Sequence, residues 1–190
     1  MEKIMDILKE TGAIMKGHFL LSSGRHADTY IQCAKVLQDP KKAEEVMEEI
    51  KKQVEDLNLD VIVGPAMGGV LPAYELARQL KVISMFTERE EGVVKLRRGF
   101  QIKPGQRVLV SEDVVTTGKS SLEAIRAIEA LGAEVLGISC IINRSSKKTL
   151  DKYPIYSVIS LDVDSFEEKD CPLCKQNKPI VKPGSRNMKK

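Results

Sequence analysis

Between residues 60 and 142 the chain alternates short, nearly continuous apolar runs with stretches of helical spacing, and this rhythm narrows the fold more than any other feature. Asp60-Val-Ile-Val-Gly64, Val82 to Phe86, Val108 to Ser111 and Val135 to Ile142 read as strands. Gly69 to Leu80 and Lys119 to Leu131 read as helices. So does Lys41 to Leu57, where Val46, Met47, Ile50, Val54 and Leu57 recur among charges. Apolar strands without polar alternation are buried on both faces, which requires helices above and below a parallel sheet. The expected fold is α/β and doubly wound.

Composition excludes several function classes. With 42% hydrophobic and 30% charged residues the chain is neither disordered nor a disulfide miniprotein. A net charge of +3 is too small to indicate a nucleic-acid partner, and no apolar run approaches the ~20 residues that span a bilayer. The first ten residues interleave charges with Ile4, Ile7 and Leu8 instead of forming the apolar core of a signal peptide, so a cytoplasmic location is expected. Length predicts one domain over residues 1–160, and residues 161–190 are set apart as a C-terminal extension.

Two stretches break the rhythm. Thr87 to Gln106 is a connection of about 20 residues where about 4–6 are usual, and long connections of this kind tend to be lids. From Gly92 to Arg107 it carries Lys95, Arg97, Arg98, Lys103 and Arg107 and no acid, a flexible basic patch suited to an anion, or else a solvated hairpin with ordinary surface charges. The tail from Lys175 holds six basic residues and no acid, and reads either as a docked extension or as a frayed end.

The chemistry is concentrated in Arg107-Val-Leu-Val-Ser-Glu-Asp-Val-Val-Thr-Thr-Gly-Lys-Ser-Ser121: a strand, an acid pair, then a turn that opens a helix. Doubly wound proteins bind ligands at the carboxyl ends of strands. Glu112 and Asp113 there are suited to the vicinal hydroxyls of a ribose. Thr116, Thr117, Gly118, Lys119 and Ser120, preceded by Val114 and Val115, offer amides and hydroxyls at a helix N-terminus, where unpaired donors and the dipole favour phosphate. Gly118-Lys-Ser is not a Walker A loop, because Asp113 stands where that motif requires a glycine.

This segment resembles the ribose-phosphate motif of the type I phosphoribosyltransferases, and further segments narrow the resemblance to the orotate branch. Gly17-His-Phe-Leu-Leu-Ser-Ser-Gly-Arg25 is similar to its N-terminal hood, here about residues 12–36. Val63-Gly-Pro-Ala-Met-Gly-Gly-Val70 is similar to its pyrophosphate loop. Glu88-Arg-Glu-Glu-Gly92 and Leu96-Arg-Arg-Gly-Phe100 are similar to its catalytic lid, about residues 87–106. The resemblance implies transfer of phosphoribosyl from phosphoribosyl pyrophosphate (PRPP) to orotate, giving orotidine 5'-monophosphate and pyrophosphate in pyrimidine biosynthesis.

It further implies Mg2+ carried by PRPP, with no metal ligands from protein side chains, and a homodimer whose lid places Arg89 in the neighbouring site. Arg89, Lys95 and Asp113 become the catalytic candidates. Met67, Gly68, Arg89 and residues 112–120 become the PRPP-binding set, and Thr116, Arg144, Phe19 and Leu20 the orotate-binding set. A guanidinium suits the orotate carboxylate, and Arg144 follows the strand ending at Ile142. Neither nucleic acid nor membrane is an expected partner.

The chain also departs from the family. Ser22 and Gly68 stand where many members carry lysine, Glu90 and Glu91 replace lid lysines, and the lid has no histidine. Lys95, Arg97 and Arg98 are the expected substitutes on grounds of charge. Cys171-Pro-Leu-Cys174 lies beyond the matched core and reads as two ordinary thiols; a zinc site would need Cys33, Cys140, a histidine or a second subunit's pair. The rival functions are a purine phosphoribosyltransferase and a PRPP-sensing regulator without catalysis.

Overall fold

A computed structural model describes residues 2–21 and 23–183. They form two compact units. The first joins residues up to Val36 with those from Asp162 onward, so the segment set apart as an extension clusters with the hood. It holds α1 (Glu2–Glu10), β1 (Ile14–Leu20), β2 (His26–Ile31) and, from the C-terminal side, β10 (Ser165–Phe166) and α6 (Pro172–Lys175). β1 and β10 both pair antiparallel with β2. Ile4, Ile7 and Leu8 of α1 are buried at the helical spacing seen in the sequence.

A short α2 (Ala34–Leu37) leads into the second unit, residues 37–161. There α3 (Pro40–Val54), α4 (Val70–Leu80) and α5 (Lys119–Glu129) flank a sheet built from β3 (Val61–Pro65), β4 (Ile83–Glu90), β5 (Val93–Leu96), β6 (Arg107–Val115), β7 (Glu134–Asn143), β8 (Thr149–Leu150) and β9 (Tyr153–Ser160). The strand order is β5-β4-β3-β6-β7-β9-β8, parallel from β4 to β9 with an antiparallel strand at each edge. This is the expected α/β architecture.

Period-2 alternation directs Val61, Val63, Val108, Val110, Ile138 and Cys140 into one cluster with Ala124, Ile125 and Ile128 of α5. The intervening Ile62 and Leu109, also fully buried, face the layer of α3 and α4. α3 begins where it does because the Asp39 carboxylate accepts from the amides of Lys41 and Lys42 and Pro40 fills the first turn.

The chain leaves β3 toward β4 and β5 on one side, then returns to β6 on the other. The switch point therefore lies between β3 and β6, and their carboxyl ends form the crevice where such sheets bind ligands.

The stretch Thr87 to Gln106 is less irregular than expected. β4 runs on to Glu90 and pairs with β5 as a hairpin, with Thr87 opposite Leu96 and Glu90 opposite Val93. Glu91 and Gly92 make the two-residue turn, with φ of 49° and 83°, the left-handed pair that matches the twist of a hairpin. Beyond it, Phe100 packs edge-on against Phe86 with centroids 5.2 Å apart, and Ile102 is buried. Of the tail's six basic residues, Lys175, Lys178 and Lys182 are described; Arg186, Lys189 and Lys190 lie outside the described residues, as does Ser22.

Candidate active site

The carboxyl end of β6 and the segment after β3 meet without room for another atom. A Cβ on Gly68 would lie 2.6 Å from Asp113 Oδ1, and one on Gly69 2.5 Å from the Ser111 carbonyl oxygen. A side chain at 68 would have to displace the Asp113 carboxylate, whereas one at 69 would meet backbone. The Ala66–Met67 peptide is cis, and the Met67 side chain is 86% exposed.

Glu112 is buried, and its Oε1 has no hydrogen-bond partner. Burial, reinforced by the neighbouring Asp113, raises its carboxyl to about 8, and a hydrogen bond with Ser120 only partly opposes this. Asp113 is also raised by burial, against hydrogen bonds from its own amide and that of Val114; Val114 N–H donates to Oδ1 at 2.8 Å. A buried acceptor without a donor is costly to maintain in an empty fold. It suits a ligand that brings hydroxyl groups.

The turn after β6 is fixed by Gly118, whose φ is 72° and whose missing side chain makes room for Leu150, 2.1 Å from where a Cβ would stand. Gly118 is the N-cap of α5 and provides no side-chain cap. Only the Lys119 amide is held locally, by Thr117 Oγ1 at 3.4 Å. Thr116, Thr117, Lys119 and Ser120 are exposed around this helix start, while Val115 is buried below it. Val114 is half-buried. Uncapped amides next to hydroxyls are the donor set a phosphate takes.

Arg144 stands beside this turn, because its amide donates to the Val115 carbonyl oxygen at 2.7 Å across the ends of β6 and β7. In the other unit, Phe19 is buried against Tyr30, and the Leu20 amide donates to the Val181 carbonyl oxygen at 2.9 Å. That amide is already engaged by the C-terminal segment.

The basic lid residues do not form an open positive patch. Lys95 and Arg97 pair with Glu90 at 3.1 and 2.9 Å, Arg98 grips Glu88 through two bonds of 2.8 Å, and Arg89 binds Glu123 of α5 and the Gly92 carbonyl oxygen. The acids lie just before residue 92, and hairpin pairing sets them beside the cations that follow. Arg98 holds the Glu88 carboxyl below its usual range, and Lys95 does the same for Glu90.

Comparison with known proteins agrees with this geometry. Residues 33–173 match the phosphoribosyl transferase domain model. Orotate phosphoribosyltransferase of Thermoanaerobacter sp. (strain X514) is 50% identical over 185 residues, 97% of each chain. The crystal structure of orotate phosphoribosyltransferase from Aeropyrum pernix superposes with a TM-score of 0.70 at 25% identity, covering 83% of this chain and 93% of that one. Adenine phosphoribosyltransferase from Rhodothermus marinus shares the fold, with a TM-score of 0.64 at 21% identity over 85% of this chain and all of its own. With the acid pair, the uncapped turn and the glycine contact all at the switch point, and half of all residues shared with a relative of the same length, this chain belongs to the orotate phosphoribosyltransferases of the type I phosphoribosyltransferase family.

Proposed function

We propose a division of labour among this chain's residues for the family's reaction, a pentosyl transfer from PRPP to orotate in pyrimidine biosynthesis. The bond from ribose C1 to pyrophosphate breaks, a bond from C1 to the orotate ring nitrogen forms, and that nitrogen loses its proton. Positive charge develops on the ribose ring and negative charge on the departing pyrophosphate.

Glu112 and Asp113 hold the ribose hydroxyls, Glu112 as a largely protonated carboxyl near neutral pH, and Asp113 sets negative potential beneath the developing cation. The observation that carries this assignment is the buried, unpartnered Glu112 Oε1 beside the half-buried Asp113 carboxylate. The Thr116 to Ser120 turn holds the 5'-phosphate through its amides and hydroxyls. Met67 and Gly68 border the pyrophosphate side, where Gly68 lets the loop reach Asp113. Arg144 pairs with the orotate carboxylate and Thr116 lies near the ring, while the family resemblance alone assigns Phe19 and Leu20 to orotate.

By the family resemblance Mg2+ would arrive with the phosphate oxygens of PRPP, and the acid pair would face that complex from the ribose side. When bound it neutralises charge on the leaving pyrophosphate.

Arg89 and Lys95 then act on the pyrophosphate from a second subunit, exchanging their glutamate partners for phosphate oxygens. A dimer is supported by a groove of ≈ 370 Å³ lined by Val70, Tyr74, Ala77, Arg78, Val82, Ser84, Phe86 and Phe100, and by the exposed apolar side chains of Leu71, Tyr74 and Ile83. Among the described residues no helix is long and apolar enough to cross a membrane.

Loss of orotate absorbance on adding PRPP and Mg2+, with adenine, hypoxanthine, guanine and uracil alongside, tests the reaction: orotate alone should turn over, and a preferred purine would overturn the base assignment. Mixing Arg89→Ala with Asp113→Asn subunits tests the lid. Turnover should reappear in the mixture if lid and site come from different chains, and stay absent if they come from one.

A further inference from the structure

The chain's only two histidines and its one Cys-x-x-C pair meet within a single unit. His18 on β1 and His26 on β2 are 4% and 5% exposed, Cys171 is fully buried and Cys174 is half-buried. Cys33 and Cys140 take no part in the cluster.

The four donor atoms lie within 4.8 Å of one another. His18 Nε2 is 3.0 Å from His26 Nδ1, Cys171 Sγ is 3.5 Å from His18 Nε2, and Cys174 Sγ is 3.7 Å from His18 Nε2 and 3.3 Å from His26 Nδ1. Metal bonds of about 2.3 Å to sulfur and about 2.0–2.1 Å to nitrogen, at tetrahedral angles, set ligand atoms about 3.3–3.8 Å apart. The observed nitrogen–sulfur separations fit that range, and the nitrogen pair is slightly tighter.

The surroundings orient the ligands. His18 Nδ1 donates to the Lys178 carbonyl oxygen at 2.9 Å, which leaves Nε2 unprotonated with its lone pair toward the cluster, as metal-binding imidazoles are held. Two thiolates and two neutral imidazoles around a divalent ion sum to zero charge, the condition under which such a site can be buried. Thiolate with imidazole in tetrahedral array selects zinc and excludes magnesium. Four protein donors leave no open position, so the role is structural.

The C-terminal segment needs such a fastening. Among described residues beyond Leu161, Cys171 is the only buried apolar side chain, so residues 162–183 have no core of their own. Apart from this cluster they are held by two β10–β2 residue pairs, by Arg25 with Ser165 and Glu167, and by the Val181 bridge to β1. We propose that His18, His26, Cys171 and Cys174 bind one structural Zn2+ that fastens the C-terminal segment to the β1–β2 pair of its unit. Binding displaces the two thiol protons and changes no oxidation state. The site is independent of the transferase assignment.

Elemental analysis of the full chain, purified reduced and without chelator, tests this. About one zinc per chain is expected, falling below about a tenth in the Cys171→Ser, Cys174→Ser double variant and unchanged in Cys33→Ser and Cys140→Ser. Should the double variant fail to fold, cobalt exchange into the native chain decides, with tetrahedral visible bands and thiolate-to-cobalt charge transfer expected. Chelation should also speed proteolysis within residues 162–183 while 37–161 stay protected. The proposal fails if the reduced native chain incubated with Zn2+ holds less than about a tenth of an equivalent, if the folded double variant keeps its zinc, if cobalt enters without thiolate bands, or if chelation leaves cleavage unchanged.

Discussion

The turn after β6 and the β4–β5 hairpin are both assigned to PRPP, yet they are built on opposite plans. The turn is set by backbone and burial: Gly118 fits against Leu150, Gly68 against Asp113, and the Glu112 carboxyl is buried. The hairpin is set by exposed ion pairs, with each of its cations Arg89, Lys95, Arg97 and Arg98 already matched within the chain. Buried groups acquire shifted proton affinities and cannot relax; exposed pairs contribute little and exchange partners freely. On the proposed assignment, one site would combine a fixed receptor for the sugar with a replaceable set of cations for the leaving group.

Four variants test that contrast. Asp113→Asn removes charge from the fixed side and should lower kcat/KM on the order of 10²–10³-fold in steady-state assays. An unchanged value would remove the acid pair from catalysis.

Glu112→Gln should raise stability while lowering activity. Its folded proton affinity, about 8, exceeds the ordinary 4.5, so the folded state keeps a proton that the unfolded chain loses, and stability declines as pH rises from about 4.5 through about 8. Denaturant titrations should show the variant ahead by a few kcal/mol above pH 8, on an order-of-magnitude basis, with the gap closing below about pH 4.5. A gap that persists in acid would point to packing instead.

Arg144→Ala should raise the orotate KM by about 10–100-fold and leave the PRPP KM near its starting value, the loss expected for one charge-assisted contact. The smallest effect on stability is expected in the hairpin. Arg98→Gln should move the melting midpoint by less than about 2 °C, measured by calorimetry, while raising the PRPP KM. A large destabilisation would mean that the ion pairs hold the fold.

The fixed region was legible in sequence and the replaceable one was not. β6, its acid pair and the helix start at Lys119 are contiguous, and apolar runs with a glycine turn record them locally. β4 and β5 depend on partners across a turn: four residues of half-exposed strand carry too short a period to read, and neutralisation of Arg98 by Glu88 follows only from pairing. The steric demand at Gly68 was equally hidden, since it comes from Asp113 on another strand. The histidines carried a usable signal, being the only two in the chain and two of the residue types a Cys-x-x-C pair needs to complete a site. Their meeting with Cys171 and Cys174 depends on the association of β10 with β2, which spacing does not announce.

The self-neutralised hairpin bears on selectivity in a crowded nucleotide pool. A cationic arm with no internal partners would attract every passing phosphate ester and spend much of its time on the wrong ones. Here the glutamates act as resident competitors, and a ligand must outbid them with several oxygens held in place at once. On the proposed assignment, such an arm would favour a pyrophosphate, with several oxygens held at once, over a free monophosphate.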